Sequence, residues 1–418
     1  MSISPHSPTT ATGAAPSFSA GPTLEGERAR VGVNLLWLVP GVVGGSEQAV
    51  VEMLTALADN PPEDITYSLY ALESFLGAHR GLSERLPTEP LPLRGHMKPL
   101  RVMAEGTWLA RAVRRDRIHL MHYPGGTVPV GSRVPAVLNL HDVQPFDMPE
   151  NFQPVKRAYI HKMVPRAVSE AHRVIVPSEF VRTRVLECFG VAPDLVRVVP
   201  WGVAPIGVED EMITGVRARY DLPERWYIYP AITYPHKNHV TLLHAFAKFA
   251  ARHPDVALVL TGQRGSAEEV VRTEMARLGI GDRVRRTGRI PRDDVLGLLA
   301  GARGMTFPSR YEGFGLPILE AMAASTPVIA ANTTALPEAV DDAGLLVDAD
   351  DADAWCAAME RLLSTTTYDA LAEAGRRHAA RFTWTNTAEQ TVRVHREVLV
   401  DLDVLPGRHE DGVRERTR

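Results

Sequence analysis

The sequence predicts an α/β protein built as two doubly wound, Rossmann-like domains that face each other across a cleft. Three observations point there. The chain has 418 residues, too many for a single ordinary core. Short apolar runs rich in Val, Ile and Leu alternate with helical patterns, which is the rhythm of parallel sheets covered on both faces. That rhythm breaks once, over residues 201–225, and then restarts.

In the first half the strand candidates are residues 31–38, 65–72, 118–122, 134–139, 173–177 and 196–200. Helices fall between them, for example at 46–58 and 178–189, with Ser46 and Ser178 as N-cap residues. The stretch 201–225 is read as a linker. The second series comprises strands at 226–232, 256–260, 284–287, 304–307, 327–330 and 345–347. The expected organisation is an extension at 1–28 and a first domain over 29–204. A second domain follows over 205–383, then a helix over 384–405 that crosses back, and a loose tail from 406 to 418. In doubly wound sheets ligands bind beyond the carboxyl ends of the strands, so two facing sheets make an interdomain site.

Composition narrows the function. With 45% hydrophobic and 23% charged residues the chain is globular, and no apolar stretch approaches a membrane span. A net charge of -4 argues against general nucleic-acid binding. The first residues are rich in Ser, Thr, Pro, Ala and Gly and lack the basic start and apolar core of a signal peptide. Cys188 and Cys356 stand far apart in no metal or redox spacing. They read as reduced, buried thiols of a cytoplasmic protein.

The most specific segment runs from Pro308 to Ala323 and contains Glu312-Gly-Phe-Gly-Leu-Pro317 and Glu320. It follows a predicted strand and opens a helix, with Pro317 in the first turn. Gly313 and Gly315 let the backbone approach a ligand closely, and the amides of Phe314, Gly315 and Leu316 lie at the helix start. Free N–H groups and the positive helix end make an anion site suited to a diphosphate. Glu320, expected in the first turn, is a poor phosphate ligand but a good bidentate acceptor for a ribose diol. Alternatively it only complements the helix dipole.

Three further segments fall at strand ends. Tyr234-Pro-His236-Lys237-Asn-His239 follows the first strand of the second half, where Lys237 suits a leaving diphosphate. The loop from Val39 to Glu47 carries Gly44 and Gly45 between the first strand and helix, where glycines permit close approach of a phosphate or sugar. His141 and Asp142 close another strand, with Asp142 read equally as a cap or as orienting His141.

Here the chain resembles the family 4 retaining glycosyltransferases, also called group 1, of GT-B fold. Glu312 and Glu320, with seven residues between them, look like that family's Glu-x7-Glu signature. The resemblance implies that Glu312 contacts the donor sugar, Glu320 the ribose, Lys237 the diphosphate, and His141 the sugar from the opposite domain. It covers about residues 30 to 400 and is denser in the second half. Many relatives carry an Arg five or six residues before the lysine, where this chain has Ala231 and Ile232. His236, Arg264 or Arg310 is the expected substitute cation.

The implied reaction is retaining transfer of a hexose from a nucleotide-diphosphate sugar, of GDP-mannose or UDP-hexose type. Its acceptor is a hydroxyl on a glycan, lipid-linked saccharide or small glycoside. No essential cofactor or metal is expected. Rival readings are a nucleotide-sugar epimerase or phosphorylase of the same fold, or a non-catalytic nucleotide-sugar binder. His236 and His239 read alternatively as a metal pair. The Asp348, Asp350, Asp351, Asp353 run reads as metal-binding or as the N-cap of the helix at 354–363. The cluster Arg94, Lys98, Arg101, Arg111, Arg114, Arg115 and Arg117 reads as a solvated helix face, or as a weak contact with an acidic membrane or a phosphorylated acceptor.

Overall fold

The computed structural model describes residues 28–406 apart from 43, 94, 96 and 208. The expected extension before 28, the tail from 407 and Arg94 lie outside the described residues.

Seven strands form the first sheet: β1 (Ala29–Leu35), β2 (Ile65–Leu72), β3 (Thr88–Leu91), β4 (Leu120–Tyr123), β5 (Ala136–Asn139), β6 (Arg173–Val176) and β7 (Val196–Val198). Six form the second: β8 (Arg225–Pro230), β9 (Val256–Thr261), β10 (Val284–Gly288), β11 (Gly304–Phe307), β12 (Val328–Ala331) and β13 (Leu345–Val347). The orders are β3-β2-β1-β4-β5-β6-β7 and β10-β9-β8-β11-β12-β13. Every recorded pairing is parallel. These are two Rossmann-like sheets of a GT-B fold. Each reverses its winding once, at β1/β4 and at β8/β11, and such switch points open a crevice for ligands.

The helices that bear on the site are α1 (Gly45–Asp59), α2 (Pro154–Glu170), α3 (Glu179–Phe189), α4 (Asp210–Arg219), α5 (His239–Ala250), α6 (Arg292–Ala300), α7 (Leu316–Ala323), α8 (Leu336–Val340), α9 (Ala352–Arg361) and α10 (Trp384–Asp401). Strand interiors are sealed on both faces, as Val31, Val33 and Leu35 of β1 and every residue of β9 illustrate. Burial of each such side chain contributes about 1.5–3 kcal/mol. The last helix, α10, lays its apolar face on α1, β4 and β6. Arg396 holds Asp64 through two hydrogen bonds of 2.7 and 2.8 Å. On the inner face of this helix His395 meets Tyr67 at 2.9 Å and stacks edge-on against His122 of β4, their ring centroids 4.9 Å apart.

Several expectations need correction. Strand β3 was not anticipated; it is a short edge strand carrying Pro90, and such strands lack a strong apolar run. The 201–225 stretch is not all linker, because α4 lies inside it with one side chain, Val216, buried. Ser46 is not the cap of α1, since the helix already starts at Gly45 after Gly44 with φ 79 and no side-chain cap. Ser178 does cap α3, its Oγ accepting from the Val181 amide. Asp351 caps α9 by accepting from the Asp353 and Ala354 amides, so the acidic run serves a helix start. Both cysteines are free thiols, but Cys188 is half-buried.

In the basic cluster, Arg101 donates to the Leu36 and Trp37 carbonyls and Arg115 pairs with Asp116 and Glu89. Among the described residues no helix is long and apolar enough to cross a membrane.

Candidate active site at the interdomain cleft

The second sheet's switch point explains why residues 75 apart in sequence meet. Strand β8 runs into the 3-10 turn Pro235–Lys237, and the adjacent β11 runs into the loop ending at Gly315. Lys237 Nζ and Glu312 Oε1 therefore stand 2.5 Å apart, each side chain less than one-fifth exposed. The lysine also sits 5.8 Å from the centre of the Phe307 ring. Both backbones are pinned: Tyr229 Oη donates to the Lys237 carbonyl at 2.7 Å, and the Glu312 amide to Thr334 Oγ1 at 3.1 Å.

Gly315 takes φ 109, and a Cβ there would press within 3.2 Å of Ala339 and 3.3 Å of Leu336. Helix α7 starts immediately after it, at Leu316. Among the described residues the Gly315 and Leu316 amides donate to no protein acceptor, which leaves them able to bind an anion. The side chains of Phe314 and Leu316 are themselves buried, Phe314 lying 5.5 Å from the Trp201 ring.

Gly313 has a different reason to be small. A Cβ on it would lie 2.1 Å from the His141 carbonyl oxygen, so the loop presses directly on the other half of the molecule. Ser178 Oγ donates to the Gly313 carbonyl at 2.7 Å, and Tyr311 Oη to Asp147 at 2.8 Å. The Glu338 carboxylate accepts from the Glu179 and Phe180 amides at the start of α3, where the helix dipole favours a negative charge. Gly313→Ala is expected to lower transfer turnover roughly 100-fold by displacing Glu312 about an ångström. Steady-state rates test this, and an unchanged rate would remove the contact from the working state.

His141 donates from Nε2 to the Pro124 carbonyl at 2.9 Å and lies between Trp37 and Trp201. Burial pushes its pKa down to about 4, so the ring is neutral near pH 7. With Nε2 carrying the proton, Nδ1 is an acceptor. Asp142 opens onto the cleft yet is crowded by protein, which raises its carboxyl pKa; the Glu312 charge adds to the rise and Lys237 and Lys156 oppose it. Its Oδ1 accepts from the Gln144 amide at 2.9 Å, starting the next turn.

Glu320 lies in the second turn of α7, not the first, because the helix begins at Leu316. It is 5% exposed, and its Oε1 accepts from Arg292 at 2.6 Å and from Gln48 of the opposite half at 3.0 Å. Glu320 thus reaches the other domain directly, and Glu312 lies within electrostatic reach of that domain's Asp142. Gly44 and Gly45 stand at the start of α1 with open space where their Cβ atoms would be.

The three expected substitute cations differ in charge and partner. Burial and the neighbouring Lys237 push His236 down to about 3, which makes it neutral, and its ring stacks on Tyr234. Arg310 pairs with Asp350 at 2.5 Å. Arg264 is largely exposed, 3.9 Å from Glu268. Arg289, at the cleft mouth, instead donates to the Gly41 carbonyl at 2.8 Å. Among the described residues no three His, Cys, Asp or Glu side chains gather in an arrangement able to hold a metal.

Sequence reasoning did not single out Gln48, Arg292, Arg289 or Glu338. Gln48 follows the Gly-Gly turn and Arg289 follows Gly288, so position alone hinted at both. Nothing local marked Arg292 or Glu338.

The chain is similar to proteins of known family and fold. Residues 220–378 match the family described as Glycosyl transferases group 1, and residues 43–205 that described as Glycosyltransferase Family 4. The chain is 32% identical over 297 residues to O-antigen chain mannosyltransferase B of Escherichia coli, covering 69% of this chain and 76% of that protein. It is 30% identical over 343 residues to a D-inositol 3-phosphate glycosyltransferase of Acidothermus cellulolyticus, covering 75% of each. Among solved structures, Anabaena HepE in complex with UDP and glucose superposes with a TM-score of 0.70 at 20% identity, covering 88% of this chain and 100% of that one.

Proposed function

The chain belongs to glycosyltransferase family 4 and is a hexosyltransferase of that type, and from that premise we propose that it moves a hexose from a nucleotide-diphosphate sugar to a saccharide hydroxyl with retention at the anomeric carbon. The observation that carries this reading is the pairing of Lys237 with Glu312 beside the free amides of Gly315 and Leu316, with Glu320 one further turn along. A diphosphate fits the amides and the lysine, the sugar lies at Glu312, and the ribose lies at Glu320. The mannosyltransferase relative favours a GDP-mannose-type donor. The UDP bound to HepE keeps a UDP-hexose as the second choice. The acceptor is a growing glycan, a lipid-linked saccharide or a small glycoside, received by the first domain.

Glycosyl transfer passes through an oxocarbenium-like state as negative charge builds on the leaving diphosphate. Lys237 and the two amides answer that charge in a prearranged geometry. No essential metal is invoked. Donor binding draws Lys237 from Glu312 toward the phosphate, and Glu312 then faces the sugar. His141 accepts a sugar hydroxyl through Nδ1. The anomeric carbon–oxygen bond to the diphosphate breaks, and the acceptor oxygen bonds on the same face. The acceptor's proton passes to the departing phosphate oxygen. The protein works in the cytoplasm, with at most a weak membrane contact through its basic helix face.

A panel of nucleotide sugars in thermal melts identifies the donor. At about 100 times its dissociation constant the true donor stabilises by about 2.7 kcal/mol, a rise of several degrees in melting temperature. Transfer to saccharide acceptors then separates this reading from an epimerase, which needs donor alone. A flat panel across GDP- and UDP-sugars overturns the reading.

A further inference from the structure

Glu320 has a hydrogen-bond arrangement that no role in helix α7 requires. Its Oε1 takes both protein donors, Arg292 Nη2 at 2.6 Å and Gln48 Nε2 at 3.0 Å. A carboxylate offers about four lone-pair sites, and among the described residues Oε2 accepts nothing. Arg292 is the first residue of α6, while Gln48 lies in the first turns of α1 on the opposite half. One helical turn after Gln48, the half-buried Glu52 lies within electrostatic reach of both Arg292 and Glu320. Three residues before Arg292, Arg289 holds the Gly41 carbonyl of the loop leading into α1. The two halves therefore meet along this edge on the very carboxylate assigned to the ribose.

We propose that Gln48 and Arg292 are positioning residues for the donor ribose, fixing Glu320 so that its free oxygen meets the ribose diol, with Gln48 supplying its share from the opposite domain. The proposal rests on the reading of Glu320 as the ribose ligand. Without both donors the carboxylate turns freely and the diol loses an oriented acceptor. Recognition of the ribose thereby depends on contact between the domains, since one of the two positioning groups belongs to the opposite domain. The far edge of the interface is held independently by Ser178 on Gly313, Tyr311 on Asp147 and Glu338 on the start of α3. Loss of the single Gln48 amide therefore leaves the halves joined.

The test compares dissociation constants of UDP with 2′-deoxy-UDP, and of GDP with 2′-deoxy-GDP, by calorimetry on the full chain. Wild-type protein is expected to prefer the ribonucleotide of its cognate base by about tenfold or more, as hydrogen bonds to a charged group allow. Gln48→Leu and Arg292→Ala are each expected to reduce that preference below about threefold, while binding of the deoxynucleotide moves less than about twofold. Intact deoxynucleotide binding also reports an intact fold. Arg292→Lys is expected to restore part of the preference. Full wild-type preference in Gln48→Leu, or equal weakening of both nucleotides, overturns the proposal. Glu320→Ala separates the two levels: if it keeps the ribose preference, or wild type has none, the ribose reading of Glu320 itself fails.

Discussion

Glu312→Ala lowers transfer turnover by roughly 10²–10³-fold while the melting temperature stays within a few degrees. The rate loss follows from the site's electrostatics, because prearranged groups at a developing charge are worth about that much each. Glu312 occupies the point where Lys237, the second domain's free amides and Asp142 of the first domain converge. Removing its carboxylate takes away the proposed contact to the sugar and releases Lys237 from its set position. The fold is spared because the Glu312 side chain is not in either core; it opens on the cleft and its backbone stays tied to Thr334. Lys237→Ala should lose a similar factor, and the double variant little more than either single change, because the two act as a unit. Steady-state and single-turnover rates with the identified donor decide it. Wild-type turnover in Glu312→Ala would remove this residue from the chemistry.

Acidification should unfold the protein well before its carboxylates are all protonated, through the histidines sealed under α10. His122 and His395 are fully buried, and burial is the main cause of their depressed pKa values. The His122 value falls to about 4, against about 6.5 in an unfolded chain. The unfolded state therefore takes up protons first as pH falls. Stability is complete above about 6.5 and is lost progressively toward 4, at roughly 1.4 kcal/mol per pH unit for each such histidine. His395 is shifted the same way and adds to the loss as pH falls below about 6.5. His395→Phe keeps an aromatic ring beside His122 but abolishes one titration. As pH falls below about 6.5 it should lose less stability than wild type, by up to about 1.4 kcal/mol per unit. The difference between the two proteins isolates this pair from Asp142 and Glu105, whose raised pKa values act in the opposite sense. Denaturant melts at pH 7.5, 6.5 and 5.5 measure it, and parallel pH profiles for the two proteins would contradict it.

Much of this was written locally. Parallel strands buried on both faces need unbroken Val, Ile and Leu runs, so nearly every strand announced itself, and β3 escaped because an edge strand with a proline does not. The Gly-Phe-Gly-Leu-Pro turn specified its own helix start, since Gly315 needs a positive φ that other residues resist. The register of Glu320 was misplaced by one turn because the helix boundary depends on where that glycine bends the chain.

The residues themselves, then, determined two doubly wound halves, a diphosphate-sized turn and a lysine at a strand end, all properties of short stretches whose backbone preferences and periodicity are local. Only the tertiary structure decided what those groups touch. It placed Glu312 on Lys237, Gly313 on the His141 carbonyl, Gln48 on Glu320 and Glu338 at the start of α3. It also left His236 neutral by burial, paired Arg310 with Asp350 and left Arg264 exposed beside Glu268. Contacts between domains join residues more than a hundred positions apart, and their energy depends on distances that no local pattern encodes.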